Sequence, residues 1–148
     1  MLRDPGLIPL SQEHQHALGL CVLTRRSLGI DGSAENIATQ ARNIVGKFDA
    51  EIRDHFDFEE RVLFPMVEGH AQLHDLIAEL LSEHVRILAA VEQLRYQPSR
   101  EAVDRFCDLL EPHVHKEEQL LFEETQRILT RPELDSIRAR RRLLSCNR

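Results

Sequence analysis

The sequence predicts an all-α fold, an up-down-up-down four-helix bundle followed by a short C-terminal fifth helix. Three observations carry this. Apolar residues recur by threes and fours along four long stretches, the mark of helices with one buried face. Only six glycines and six prolines occur in 148 residues, and clusters of them separate those stretches. The connections are short, which makes successive helices antiparallel neighbours. The length fits a single domain over residues 1–148, with the bundle at about 11–130 and the last helix at about 132–144.

Residues 1–10, MLRDPGLIPL, carry two prolines and a glycine and read as an extended lead-in. Ser11 is the expected N-cap of a first helix running to about Leu28, and the Gly29–Ser33 stretch breaks it. Ser33 can cap a long second helix. Its stripe runs Ala34, Ile37, Ala41, Ile44, Phe48, Ile52, His55, Glu59, Val62 and Met66. Gly69 marks the next turn. The third helix aligns Leu73, Leu76, Ile77, Leu80, His84, Ile87, Leu88, Val91 and Leu94. Pro98 and Ser99 separate it from the fourth, with Val103, Phe106, Leu110, His113, Glu117, Leu120, Leu121, Glu124 and Ile128 on its stripe. Pro112 lies within that helix, removes a backbone donor and is expected to bend it beside His113. A basic fifth helix starts near Pro132. Leu134, Ile137 and Leu144 are expected to dock it, with Arg138, Arg140, Arg141, Arg142 and Arg148 facing solvent.

Two decapeptides repeat: HFDFEERVLF at 55–64 and HVHKEEQLLF at 113–122. Each follows an E-H-x-x-x-L element, Glu13-His14 with Leu18 and Glu83-His84 with Leu88. Residues four apart share a helix face, so His55 with Glu59 and His113 with Glu117 point the same way. Antiparallel packing tests whether they meet. His55 lies 14 positions before the Gly69 turn and His84 lies 15 after it; His84 lies 14 before Pro98 and His113 lies 15 after it. At about 1.5 Å rise per residue the three histidines fall in one layer. His14 and His16 are both candidates on the first helix; alignment with His84, and a face shared with Leu18 and Cys21, favours His14. His74 lies ten positions before His84, at another depth, and His70 and His74 are expected at the surface or at a helix end. His115 points away from His113.

Four imidazoles and two carboxylates exceed the needs of one tetrahedral zinc. The set suits two adjacent first-row metals bridged by carboxylates and a small oxygen ligand, and this donor chemistry suits iron. Charged glutamates on a core stripe would otherwise be costly. Glu60 and Glu118 lie off the stripe and read first as members of helix ion pairs, with support of the metal ligands from behind as the alternative. Phe56, Phe58 and Phe122 would keep the layer partly dry. Cys21 and Cys107 fall at similar depth on antiparallel helices; small core filler is the default reading and a redox pair the sharper one.

The net charge of −6 argues against nucleic acid as a partner. The longest apolar run, Ala17 to Leu23, is too short to span a bilayer. No secretory signal pattern appears at the N-terminus. Three cysteines without metal-type spacing suit a reducing, cytoplasmic setting.

The ordered pattern H…H-x-x-x-E…H…H-x-x-x-E with its E-E-x-x-L-F endings resembles the hemerythrin-like (HHE cation-binding) domain family from His14 to about Ile128. The resemblance implies a left-handed four-helix bundle around a non-haem di-iron centre, two iron ions with an oxo or hydroxo bridge. It implies His14, His55, Glu59, His84, His113 and Glu117 as ligands, with Glu59 and Glu117 bridging. Leu80 stands four before His84, where oxygen-carrier hemerythrins have a further histidine, and Glu117 stands where they have an aspartate. The pattern is closer to bacterial and regulatory members. The expected function is binding or sensing of dioxygen or a related small ligand at the metals. A redox enzyme (peroxidase, oxidase or nitric-oxide handling) and an iron storage or repair factor are the alternatives.

Overall fold

A computed structural model describes residues 2–146. It contains five helices: α1 (Ile8–Ile30), α2 (34–67), α3 (Ala71–Tyr96), α4 (100–128) and α5 (Arg131–Cys146). The contacts run α1 to α2, α2 to α3, α3 to α4 and α4 back to α1, which closes a four-helix ring, while α5 packs on α1. Among the described residues no helix is long and apolar enough to cross a membrane.

The helix starts follow from capping chemistry. Ser33 accepts the Asn36 N–H at 3.2 Å and Ser99 accepts the Ala102 N–H at 3.0 Å, each satisfying one orphan donor of a first turn. α1 begins three residues before the expected Ser11, at Ile8 with Pro9 in its first turn. Proline is tolerated there because the first N–H groups have no helical partner in any case. The lead-in is therefore shorter than expected; Met1 lies outside the described residues. α4 runs on through Pro112.

Two π-type turns reset the helix faces. They span Glu59–Leu63 in α2 and Glu117–Leu121 in α4, so each starts on the glutamate of an H-x-x-x-E pair. A third covers Phe48–Ile52. A π turn carries one residue more than the regular spacing, and such turns recur at functional positions. The consequence is a correction to the α4 stripe. Leu120 is 54% exposed, and after Glu117 the buried positions are Leu121, Phe122, Thr125 and Leu129.

Two apolar clusters fill the bundle. One gathers Ala17, Cys21, Ile44, Phe48, Ile87, Phe106 and Leu110 with their neighbours. The other gathers Leu10, Phe64, Leu80, Leu121 and Phe122 with Leu134 and Ile137 of α5. On each of the four helices the polar layer of His14, His55, Glu59, His84, His113 and Glu117 falls between these clusters, and all six are buried.

The arginines of α5 do not all face solvent. Arg141 is 1% exposed, on the stripe that carries Leu134 and Ile137, while Leu144 points outward. Arg148 lies outside the described residues.

Candidate metal centre

The six residues singled out in the sequence come together in one layer. The Nε2 atoms of His14 and His55 face each other at 3.0 Å. His14 Nε2 lies 2.9 Å from Glu117 Oε1, His84 Nε2 lies 3.2 Å from Glu59 Oε1, and His113 Nε2 lies 3.6 Å from Glu117 Oε1. His55 Nε2 is 3.4 Å from Glu59 Oε2. Two ligand groups result: His14, His55, Glu59 and Glu117, and Glu59, His84, His113 and Glu117, with the donor atoms of each within 4.8 Å of one another. Both glutamates belong to both groups. His16, His74 and His115 are exposed, and His70 is the N-cap residue of α3.

Each of the four layer imidazoles is fixed from behind by a carboxylate on another helix. His14 Nδ1 meets Glu118 at 2.6 Å, His55 Nδ1 meets Glu13 at 2.8 Å, His84 Nδ1 meets Glu60 at 2.7 Å, and His113 Nδ1 meets Glu83 at 2.7 Å. The pattern is cyclic. α1 holds the histidine of α2, α2 that of α3, α3 that of α4, and α4 that of α1. An ionised carboxylate only accepts, so each Nδ1 carries the donated proton and each Nε2 is the ring atom that faces the layer. Glu60 and Glu118 are thus not merely members of helix ion pairs; they orient His84 and His14.

That arrangement needs a positive charge at its centre. The Nε2 atoms of His14 and His55, 3.0 Å apart, lie against the buried carboxylates of Glu117 and Glu59. Both oxygens of Glu59, Oε2 of Glu117, and Nε2 of His84 and His113 are buried without an aligned hydrogen-bond partner. Leaving such groups unsatisfied costs several kcal/mol in sum. The electrostatics agree. Burial pushes the His55 imidazolium down, but the Glu59 charge and the bond to Glu13 outweigh it and raise the ring to about 10. Burial and the Glu59 charge push the Glu117 carboxyl up. Burial also acts against Glu59, yet His55 and its other polar neighbours hold it well below the usual carboxylate range. The layer attracts cations and carries the donor set of a metal site.

Aromatic packing distinguishes the two halves. The closing phenylalanines of the decapeptides act alike: Phe122 stacks on His14 at 5.3 Å and Phe64 on His84 at 5.8 Å. The second residues do not. Phe56 lies flat on His84 at 3.9 Å, whereas its repeat counterpart is Val114. A cavity of about 690 Å³ reaches the His14–His55 half, with Val114, Leu110, Ala17, Leu20 and Phe56 in its wall. Glu51, Lys47 and His16 also line it.

Further polar contacts reach the outer carboxylates. Arg141 of α5 donates from Nε and Nη2 to Glu13, both at 2.9 Å, and its guanidinium lies over the Phe58 ring. Ser11 and Arg3 donate to Glu118. Lys116 donates to Glu83, and His113 and Lys116 together overcome its burial and hold that carboxyl down at about 2. Arg3, Ser11, Lys116 and Arg141, together with Glu13 and Glu83, are the supporting contacts the sequence reading missed. The E-H and E-E doublets were the visible signal for the carboxylates. Nothing in the sequence pattern pointed to Arg141.

Cys21 and Cys107 are buried free thiols close to each other, with Glu111 nearby.

A helical bundle that buries imidazoles and carboxylates facing inward defines a metal-binding helical protein. The chain matches the hemerythrin HHE cation-binding domain over residues 9–125 and belongs to that family. No curated protein and no solved structure matches it.

Proposed function

We propose that this is a cytoplasmic non-haem di-iron protein that binds or senses dioxygen or a related small ligand. The observation that carries the proposal is the pair of four-residue ligand groups sharing Glu59 and Glu117. Two positions with common carboxylates suit two metals better than one, and imidazole with carboxylate suits iron. His14 and His55 would hold one ion and His84 and His113 the other, with Glu59 and Glu117 available to both. Bound iron would supply redox chemistry and open coordination positions for a small ligand. The chain does the rest. The four outer carboxylates keep the protons on Nδ1, so Nε2 stays a donor atom toward the metal. Phe56, Phe64 and Phe122 shield the rings from water. The cavity gives a small molecule its approach, from the His14–His55 side.

A second reading shares the same donor set: a redox enzyme of the peroxidase, oxidase or nitric-oxide-handling type fits the same centre. Exposure of the ferrous-loaded protein to dioxygen separates the readings. An absorbing adduct that reverses under vacuum supports binding. Irreversible oxidation with peroxide turnover supports the enzyme. Rapid loss of iron to a mild chelator would mean that iron is cargo, as in a storage or repair factor, and would count against both.

A further inference from the structure

The two ends of the chain, both outside the family match at residues 9–125, converge on one half of the centre. The carboxylate behind His14, Glu118, is met by Ser11 at 2.8 Å and by Arg3 at 3.4 Å; Arg3 also donates to the Glu118 carbonyl at 2.9 Å. The carboxylate behind His55, Glu13, takes two bonds from the buried fork of Arg141. Among the described residues, the other half has no such reinforcement from the ends of the chain. Glu83 is met by Lys116, a residue of α4 itself, and the side chain of Glu60 is 41% exposed.

The two ends also grip each other. Arg131 donates twice to Asp4, at 2.8 Å each. Gln126 accepts from the Asp4 N–H at 3.1 Å and from Arg3 at 3.2 Å. Gly6 lies so close to α5 that a Cβ there would sit 2.4 Å from the Leu134 carbonyl oxygen. Only glycine leaves room for that approach.

We propose that residues 2–7 and α5 form a terminal clasp whose Arg3 and Arg141 position His14 and His55 through Glu118 and Glu13, and so set how firmly the cavity-side metal is held. The proposal rests on the metal reading above. A guanidinium fork fixes the plane of the carboxylate it binds, and that carboxylate fixes the ring tautomer and direction. Without Arg141, Glu13 is free to turn toward water and His55 loses its orientation. The other metal position depends on the bundle alone. By linkage the effect is reciprocal: a metal between His14 and His55 tightens the docking of α5.

The test is release of iron(II), loaded anaerobically at two equivalents per chain, to a ferrous chelator. Outer partners of ligating histidines typically alter metal affinity by 10–100-fold, so Arg141→Gln and Arg3→Gln should each release one equivalent about tenfold faster, with the second unchanged. The double variant R3Q/R141Q should still release only one fast equivalent, whereas R141Q/K116Q should release two. General loosening of the fold would speed both equivalents in every variant. Equal acceleration of both in R3Q/R141Q, or of neither, overturns the clasp. Should R141Q fail to fold, Gly6→Ala, which forces the lead-in off α5, carries the same expectation and the same refutation. Amide exchange across residues 131–146 should slow on metal loading of the unaltered protein, and identical exchange with and without iron overturns the reciprocal effect. A protein that takes up no iron at all defeats the metal reading itself, a result distinct from these.

Discussion

Glu60 accepts the Nδ1 proton of His84 at 2.7 Å, although the two sit on different helices. The same relation joins each helix of the bundle to the next around a closed ring. On the proposed di-iron reading, Glu60 supports metal affinity despite its exposed position. Glu60→Ala should weaken one of two metal positions by about 10–100-fold while helix content stays unchanged. Calorimetric titration with iron(II) checks it. A carboxylate serving only in a surface ion pair would leave both affinities alone, since such pairs contribute about 1 kcal/mol or less to stability.

Removal of metal should destabilise the fold. Each ion bound at a hundredfold excess over its Kd adds about 2.7 kcal/mol, and a domain near this size shifts by about 2–4 °C per kcal/mol. Thermal melting by circular dichroism should therefore fall by roughly 10–20 °C after chelation. A layer held only by internal ion pairs would melt at the same temperature with and without chelator.

The cavity wall predicts a third outcome. Val114 stands where the repeat places an aromatic ring in the other half. Val114→Phe should fill space beside the His14–His55 half, stacking there as Phe56 stacks on His84, and leave all six layer residues in place. Iron content should be unchanged, and the rate at which azide alters the diferric spectrum should fall at least about tenfold, the equivalent of 1.4 kcal/mol of added barrier. An unchanged rate would place the entry elsewhere.

The Asp4–Arg131 pair predicts a pH dependence. The hydrogen bonds from Arg131 hold the Asp4 carboxyl below its ordinary value of 3.8, against a smaller effect of burial. A group with a depressed folded pKa contributes stability that is present above the unfolded value and lost as pH falls through the folded one. Asp4→Asn should therefore melt lower than the unaltered protein at neutral pH, and the gap should close in strong acid. A gap that persists there would show that the carboxylate charge is not what joins the two ends.

Most of the bundle and the inner layer were legible because they rest on local rules. Ser33 and Ser99 cap helices through bonds within a single turn. His55 with Glu59 and His113 with Glu117 share faces through i,i+4 spacing, and connection lengths fixed their common depth. What stayed hidden depends on partners across helices. Glu13, Glu60, Glu83 and Glu118 each adjoin a layer residue in sequence and so lie off the buried stripes of their own helices. Their role appears only when the next helix brings a histidine against them. Leu120 was misplaced because the π turn at Glu117–Leu121 adds a residue that regular periodicity does not anticipate. The α1 start was misplaced because Pro9 was read as a break, when the first turn tolerates it. Arg141 defied the ordinary fate of arginine in a basic run because Glu13, Phe58 and Asp54 surround its guanidinium.

Metal stoichiometry tests the central claim most directly. Protein loaded with iron(II) without oxygen and then desalted should retain two equivalents per chain. The variant H55A/E59A should retain less than one, because it loses a histidine of one position and a carboxylate shared by both. Fewer than two equivalents in the unaltered protein, or the same content in the variant, would contradict the two-metal centre.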